Sequence, residues 1–156
     1  MISSHALFSK AMVKISQFSV ANKGVDYLIG LILVSHSEKI TEGIKDLVVE
    51  MTKDAVPIIS AGGTSDGRLG TSADKVMDAI NELSNCNNIL IFTDIGSSIM
   101  SSEIALDLVD EELKNKCILV DAPMVEGAFV AGVQSMVSDD VELVLEEVML
   151  TKQSKF

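Results

Sequence analysis

Aromatic residues are scarce in this sequence: it has no tryptophan, one tyrosine and five phenylalanines. Stacking platforms for bases or sugars are correspondingly few. Basic residues are also in deficit. Twelve Lys and Arg stand against 23 Asp and Glu, and the net charge of −11 repels phosphate-rich polymers and anionic lipid surfaces. Nucleic acid and membrane are therefore excluded as expected partners. Two cysteines, Cys86 and Cys117, make neither a disulfide framework nor a Cys-x-x-Cys pair, so a reduced, cytoplasmic setting is expected. The longest apolar run, Tyr27–Val34, has eight residues, far short of the ~18 that a membrane span requires.

Several site classes are missing as well. The glycine loop between Ala61 and Thr71 has four glycines but neither the Gly-x-x-x-x-Gly-Lys-Ser of a nucleotide-binding P-loop nor a Gly-x-Gly-x-x-Gly. Only two histidines occur, His5 and His36, too few for a metal cluster, and neither a metal nor another cofactor is expected. Ser97 and Ser98 lack the Gly-x-Ser-x-Gly elbow of a hydrolase nucleophile. A receiver-type aspartate site would need an acidic pair at the end of the first strand, where Ser35-His36 stands instead.

What is present is one domain with a distinct leader. All 23 acidic residues lie beyond residue 25, and residues 1–25 hold Lys10, Lys14 and Lys23 with no acid. That segment reads as a disordered arm, a tag or an over-extended start, and residues 26–156 as the folded domain. Short apolar runs alternate with helical periodicity through the domain. Strands are expected at Leu28–Val34, Val56–Ile59, Asn88–Thr93 and Cys117–Val120. Between them, Ile40, Ile44, Leu47, Val48 and Met51 recur at helical spacing, and Ser72 or a close neighbour is expected to cap a helix through Val76, Ile80 and Leu83. A third helix is expected to turn Ile104, Ala105, Leu108 and Val109 inward. A fourth is expected near Glu126–Val137, and a last one, capped by Ser138 and Asp139, through Val141, Val144, Leu145, Val148 and Met149. Strict β-α alternation predicts an α/β fold, a flavodoxin-like open parallel sheet of order 2-1-3-4 with helices on both faces.

In such a sheet ligands bind beyond the carboxyl ends of the strands, where strand order reverses, here between the first and third strands. Ser35-His36-Ser37 ends the first, Asp94-Ile95-Gly96-Ser97-Ser98 follows the third, and Gly62-Gly63-Thr64 through Gly70-Thr71-Ser72 flanks them. An imidazole with Nδ1 held by the Asp94 carboxylate would present the Nε2 lone pair as a nucleophile. Ser37, Gly63, Thr71, Gly96 and Ser97, near helix N-termini, would form an anion cradle that needs no Lys or Arg. Together these read as phosphoryl transfer through phosphohistidine. The same features also have a plain structural reading, since a strand-end histidine and Gly-Ser turns are common in βα loops. Ile95, Ile99 and Met100, in or just after the turn, are expected to form an apolar docking patch or a dimer contact.

Five segments carry a more specific signal. They are Leu31–Ser37 with Glu42-Gly43; Ala61-Gly62 to Gly70-Thr71; Lys75-Val76-Met77-Asp78-Ala79-Ile80; Asp94-Ile95-Gly96-Ser97 with Glu103-Ile104-Ala105-Leu106; and Ala122-Pro123-Met124-Val125-Glu126-Gly127. In this order, from Tyr27 to Val137, the sequence resembles the DhaM family, the phosphotransferase subunits of phosphoenolpyruvate-dependent dihydroxyacetone kinases, relatives of the mannose-type IIA domains. The resemblance implies that His36 accepts phosphoryl from HPr, carries it on Nε2 and passes it to ADP held on the kinase L subunit. The ATP so formed would phosphorylate dihydroxyacetone bound to the K subunit. It also implies that Asp94 orients His36 and that the domain is a homodimer. Longer members append HPr-like and enzyme-I-like domains; this chain ends at Phe156, so a separate HPr is expected. The alternative is a non-catalytic regulator or anion-binding module of the same fold.

Overall fold

A computed structural model of the chain describes residues 29–153. The N-terminal arm, Tyr27 and the expected strand residue Leu28 lie outside the described residues. Four parallel strands, β1 (Ile29–Val34), β2 (Ile58–Ser60), β3 (Asn88–Thr93) and β4 (Cys117–Val120), form one sheet of order β2-β1-β3-β4. This is the expected α/β order. The helices are α1 (Glu38–Thr52), α2 (Ala73–Glu82), α3 (Gly96–Leu108), α4 (Glu111–Lys116), α5 (Met124–Ser135) and α6 (Val141–Met149). Among the described residues no helix is long and apolar enough to cross a membrane.

Alternation along the strands divides the core into two layers. Leu31, Leu33, Leu90 and Phe92 point to one face, where Ile44 and Val48 of α1, Ala128 and Ala131 of α5, and Val144 and Val148 of α6 cover them. Ile32, Val34, Ile89 and Ile91 point to the other, under Val76 and Ile80 of α2, Ala105 of α3 and Leu113 of α4. β1 and β3 are apolar on both faces because helices lie on both sides.

The second strand begins two residues later than expected. The Leu31 N–H donates to the Pro57 carbonyl (2.9 Å), but Pro57 has no N–H to return, so the regular ladder starts at Leu31 opposite Ile58. Buried Val56 precedes the strand instead of opening it. Helix α4 was not expected: its six residues contain one buried apolar side chain, Leu113, too few to set a period. It is held by the Asp110 carboxylate, which accepts the Leu113 N–H, with acids in its first turn and lysines in its last. Helix α5 starts at Met124, directly after Pro123. Helix α6 is capped by Asp140, which accepts the Glu142 and Leu143 N–H groups, and not by Ser138 or Asp139.

The largest correction concerns α3. Its inward face is Ser98, Ser102 and Ala105, while Ile104 and Leu108 are exposed. The serines reach the core because their hydroxyls bond the preceding turn, Ser98 Oγ to the Ile95 carbonyl (2.6 Å) and Ser102 Oγ to the Ser98 carbonyl (2.8 Å). Small side chains there let the helix approach the sheet closely, and Ile104 and Leu108 face out, while Ala105 and Val109 pack inward as expected. Helix α1 also buries hydroxyl residues and exposes apolar ones: Thr41, whose hydroxyl donates to the Glu38 carbonyl, and Thr52 are buried, and Ile40 and Leu47 are exposed.

Candidate active site

Val34, the last residue of β1, pairs with Thr93, the last of β3, and the Asp94 N–H donates to the Val34 carbonyl (3.2 Å). The two chains therefore leave the sheet at one level, and Ser35-His36 meets Asp94 in the crevice where strand order reverses. His36 Nδ1 lies 3.1 Å from Asp94 Oδ1 and 3.2 Å from Oδ2. The carboxylate also accepts the Ser35 hydroxyl (2.8 Å), the His36 N–H (2.9 Å) and the Ile95 N–H (2.7 Å). Partial burial on its own would raise the Asp94 pKa. The His36 and Ile95 amides and the Ser35 hydroxyl outweigh it and hold the carboxyl well below the usual carboxylate range.

An ionised carboxylate only accepts, so the ring proton is on Nδ1 and the lone pair is on Nε2. Ser97 Oγ donates to Nε2 at 2.5 Å. The His36 side chain is 31% exposed, enough for an approaching group to reach Nε2, whereas Asp94 at 19% is more enclosed. Ser97 lies in the first turn of α3, after the N-cap Ile95, whose side chain gives no cap bond. The amide end of this helix thus lies beside Nε2.

The other expected cradle residues divide into two groups. Thr71 Oγ1 reaches the Ser97 carbonyl (3.4 Å) and Ser101 Oγ (2.7 Å), tying the glycine loop to the first turns of α3. Thr71, Gly96 and Ser97 are thus drawn together near His36. Ser37 and Gly63 spend their amides within the protein: the Ser37 N–H donates to Ser35 Oγ (3.1 Å), and the Gly63 N–H to the Ser35 carbonyl (2.9 Å). Gly70 donates its N–H to the His36 carbonyl (2.8 Å) from a backbone φ of +138° open to glycine. The glycine loop therefore grips both carbonyls flanking the histidine.

Ser35 is the site residue absent from the sequence-based set. Its signal was a single hydroxyl at the end of an otherwise apolar strand, a fully buried group that must find a partner. The cysteines take no part: burial pushes the Cys117 thiol up to about 11 and raises Cys86 as well.

Gly62 shows how closely the loop packs. A Cβ there would collide with Thr41 Oγ1 and lie 2.7 Å from the Ser37 carbonyl oxygen. Gly62→Ala should cost about 1–3 kcal/mol through overpacking. Thermal unfolding should then fall by roughly 2–4 °C per kcal/mol, and an unchanged midpoint would show that α1 can yield.

Comparison with known proteins places this geometry. The family model EIIA-man, described as the PTS system fructose IIA component, matches residues 30–145. The phosphoryl donor subunit DhaM of PEP-dependent dihydroxyacetone kinase 2 from Listeria innocua serovar 6a is 54% identical over 120 residues, covering 77% of this chain and 96% of that protein. DhaM from Escherichia coli (strain K12) is 34% identical over 131 residues, which are 82% of this chain but 28% of that longer protein. The crystal structure of EF1359, a protein of unknown function, superposes with a TM-score of 0.77 at 42% identity, covering 83% of this chain and 98% of that one. The family match runs from β1 into α6 and contains both His36 and Asp94, and the chain belongs to the EIIA-man family.

Proposed function

We propose that the chain is the phosphohistidine carrier of a phosphoenolpyruvate-dependent dihydroxyacetone kinase. His36 takes phosphoryl from HPr and donates it to ADP held on the kinase L subunit. The observation that carries this reading is the orientation of His36, with Nδ1 bound to an ionised Asp94 and Nε2 turned to the amide end of α3. In the uptake step the Nε2 lone pair attacks phosphorus in line. The bond between phosphorus and the donor breaks, and its electron pair returns to the donor. The phosphorylated ring keeps its Nδ1 proton, and Asp94 balances the positive charge the ring acquires. Ser97 releases Nε2 as phosphorus arrives and turns its hydroxyl to a phosphoryl oxygen. Ile95, Ile99 and Met100, all exposed, run from the site along α3 and offer the docked carrier an apolar surface.

Incubation with phosphoenolpyruvate, enzyme I and HPr is the direct test. The chain should gain one acid-labile, base-stable phosphate; no uptake would leave it a regulatory or anion-binding module.

The same reading assigns the nucleotide to the partner subunit. The glycine loop carries a single cation, Arg68, whose Nε is paired with Asp66 at 2.7 Å, and Lys75 is bound to the Gly62 carbonyl. With a net charge of −11, titration calorimetry with ADP and Mg²⁺ should give no heat of binding. Exchange with ADP should appear only when the L subunit is added. Tight binding by the isolated chain would move the nucleotide chemistry here.

A further inference from the structure

Lys75 stands where a lysine does nothing for its own helix. It is the third residue after the Ser72 cap of α2, a position where a Glu or Gln would close a capping box and where a cation opposes the helix dipole. The side chain is mostly covered, 24% exposed, and its Nζ donates to the Gly62 carbonyl at 2.6 Å, with Glu38 Oε1 at 3.8 Å.

The Gly62 carbonyl shares a peptide group with the Gly63 N–H, which donates to the Ser35 carbonyl at 2.9 Å. The Ser35 carbonyl in turn shares a peptide group with the His36 N–H, which donates to Asp94 Oδ2 at 2.9 Å. An unbroken line of hydrogen bonds thus runs from the Lys75 ammonium through two peptide groups to the carboxylate that holds His36 Nδ1. A charge on a peptide oxygen polarises the same peptide's N–H and strengthens its donation, and such strengthening passes along a chain of bonds.

The geometry points to Lys75 as a positioning residue for His36, acting through the Gly62–Gly63 and Ser35–His36 peptides to strengthen the amide that fixes Asp94. This rests on the phosphocarrier reading only for its consequence in transfer. The relay itself is a property of the resting chain.

The test is Lys75→Met, which keeps side-chain length and removes donor and charge, beside Lys75→Arg, which restores both. In ¹⁵N–¹H spectra the Gly63 and His36 amide protons should move upfield together in Lys75→Met and return towards wild type in Lys75→Arg. The Gly70 amide, bonded to the His36 carbonyl outside the relay, should stay in place. Phosphoryl uptake from HPr should slow about tenfold in the methionine variant, the scale of one charge-assisted hydrogen bond, and recover with arginine. Unmoved Gly63 and His36 amides would overturn the relay whatever the rate. Movement of all three amides would reduce Lys75 to a loop clamp and overturn it too. If wild type takes up no phosphoryl, the proposed function fails, and the amide measurement still decides the relay.

Discussion

His36→Gln should leave the chain folded and unlabelled by phosphoenolpyruvate, enzyme I and HPr. The glutamine amide can still donate towards Asp94, so the crevice keeps a partner for its carboxylate, but no side-chain lone pair of comparable nucleophilicity remains. His36 is partly exposed at a strand end and outside both core layers, so the melting temperature should change by only a few degrees. Loss of label should be complete within detection. The chemistry of any residual phosphate identifies its carrier. A phosphohistidine, with its phosphorus–nitrogen bond, would be acid-labile and point to His5, which lies outside the described residues; a serine phosphate ester at Ser97 would survive acid; an acyl phosphate on Asp94 would be cleaved by hydroxylamine. Undiminished acid-labile label in His36→Gln would overturn the assignment.

The fold was legible in the sequence because its two central strands, β1 and β3, run through the core as unbroken apolar segments. Runs such as Asn88–Thr93 carry no charge and are bounded by polar turns, and their alternation with amphipathic segments leaves few parallel layouts. The His36–Asp94 pairing was legible for the same reason, since strand order alone brings those two loop starts together. Faces of helices were harder to read. In α3 two of the core positions belong to Ser98 and Ser102, which enter the interior by bonding their own helix backbone, so Ile104 and Leu108 turn outward although Ala105 lies in the core. In α1 buried Thr41 does the same, with its hydroxyl bonded to the Glu38 carbonyl and Ser60 Oγ. Periodicity counts such residues as polar and rotates the predicted face. The cradle was overcounted because a sequence shows which amides exist, and not where they donate. The amides of Ser37 and Gly63 turn back to Ser35, and the sequence carries no mark of that.

Asp94→Asn should slow phosphoryl uptake by roughly 10²- to 10⁴-fold, towards the loss seen when a triad carboxylate that fixes a histidine tautomer becomes an amide. The carboxylate accepts from four donors: the Ser35 hydroxyl, the His36 and Ile95 amides, and His36 Nδ1. An asparagine has one accepting oxygen, and its NH₂ must face at least one of those donors. If the NH₂ faces Nδ1, the ring proton moves to Nε2 and the nucleophilic lone pair is lost. If it faces the amides, the turn after β3 loses a bond and stability falls by about 1–3 kcal/mol. The contribution of the carboxylate charge is separable in acid. The Asp94 carboxyl is held below its ordinary value, so its stabilising contribution is full above the unfolded pKa of about 3.9 and is lost as pH falls through the folded value. The stability gap between wild type and Asp94→Asn, measured by urea unfolding, should therefore be wide at pH 7 and narrow well below pH 4. Asparagine does not titrate, so only the wild type gives up stability in that range through this group. An unchanged uptake rate in stopped flow would remove Asp94 from the mechanism. A stability gap that stays constant down to pH 2 would show that the hydrogen bonds, and not the charge they hold, carry the contribution of this residue.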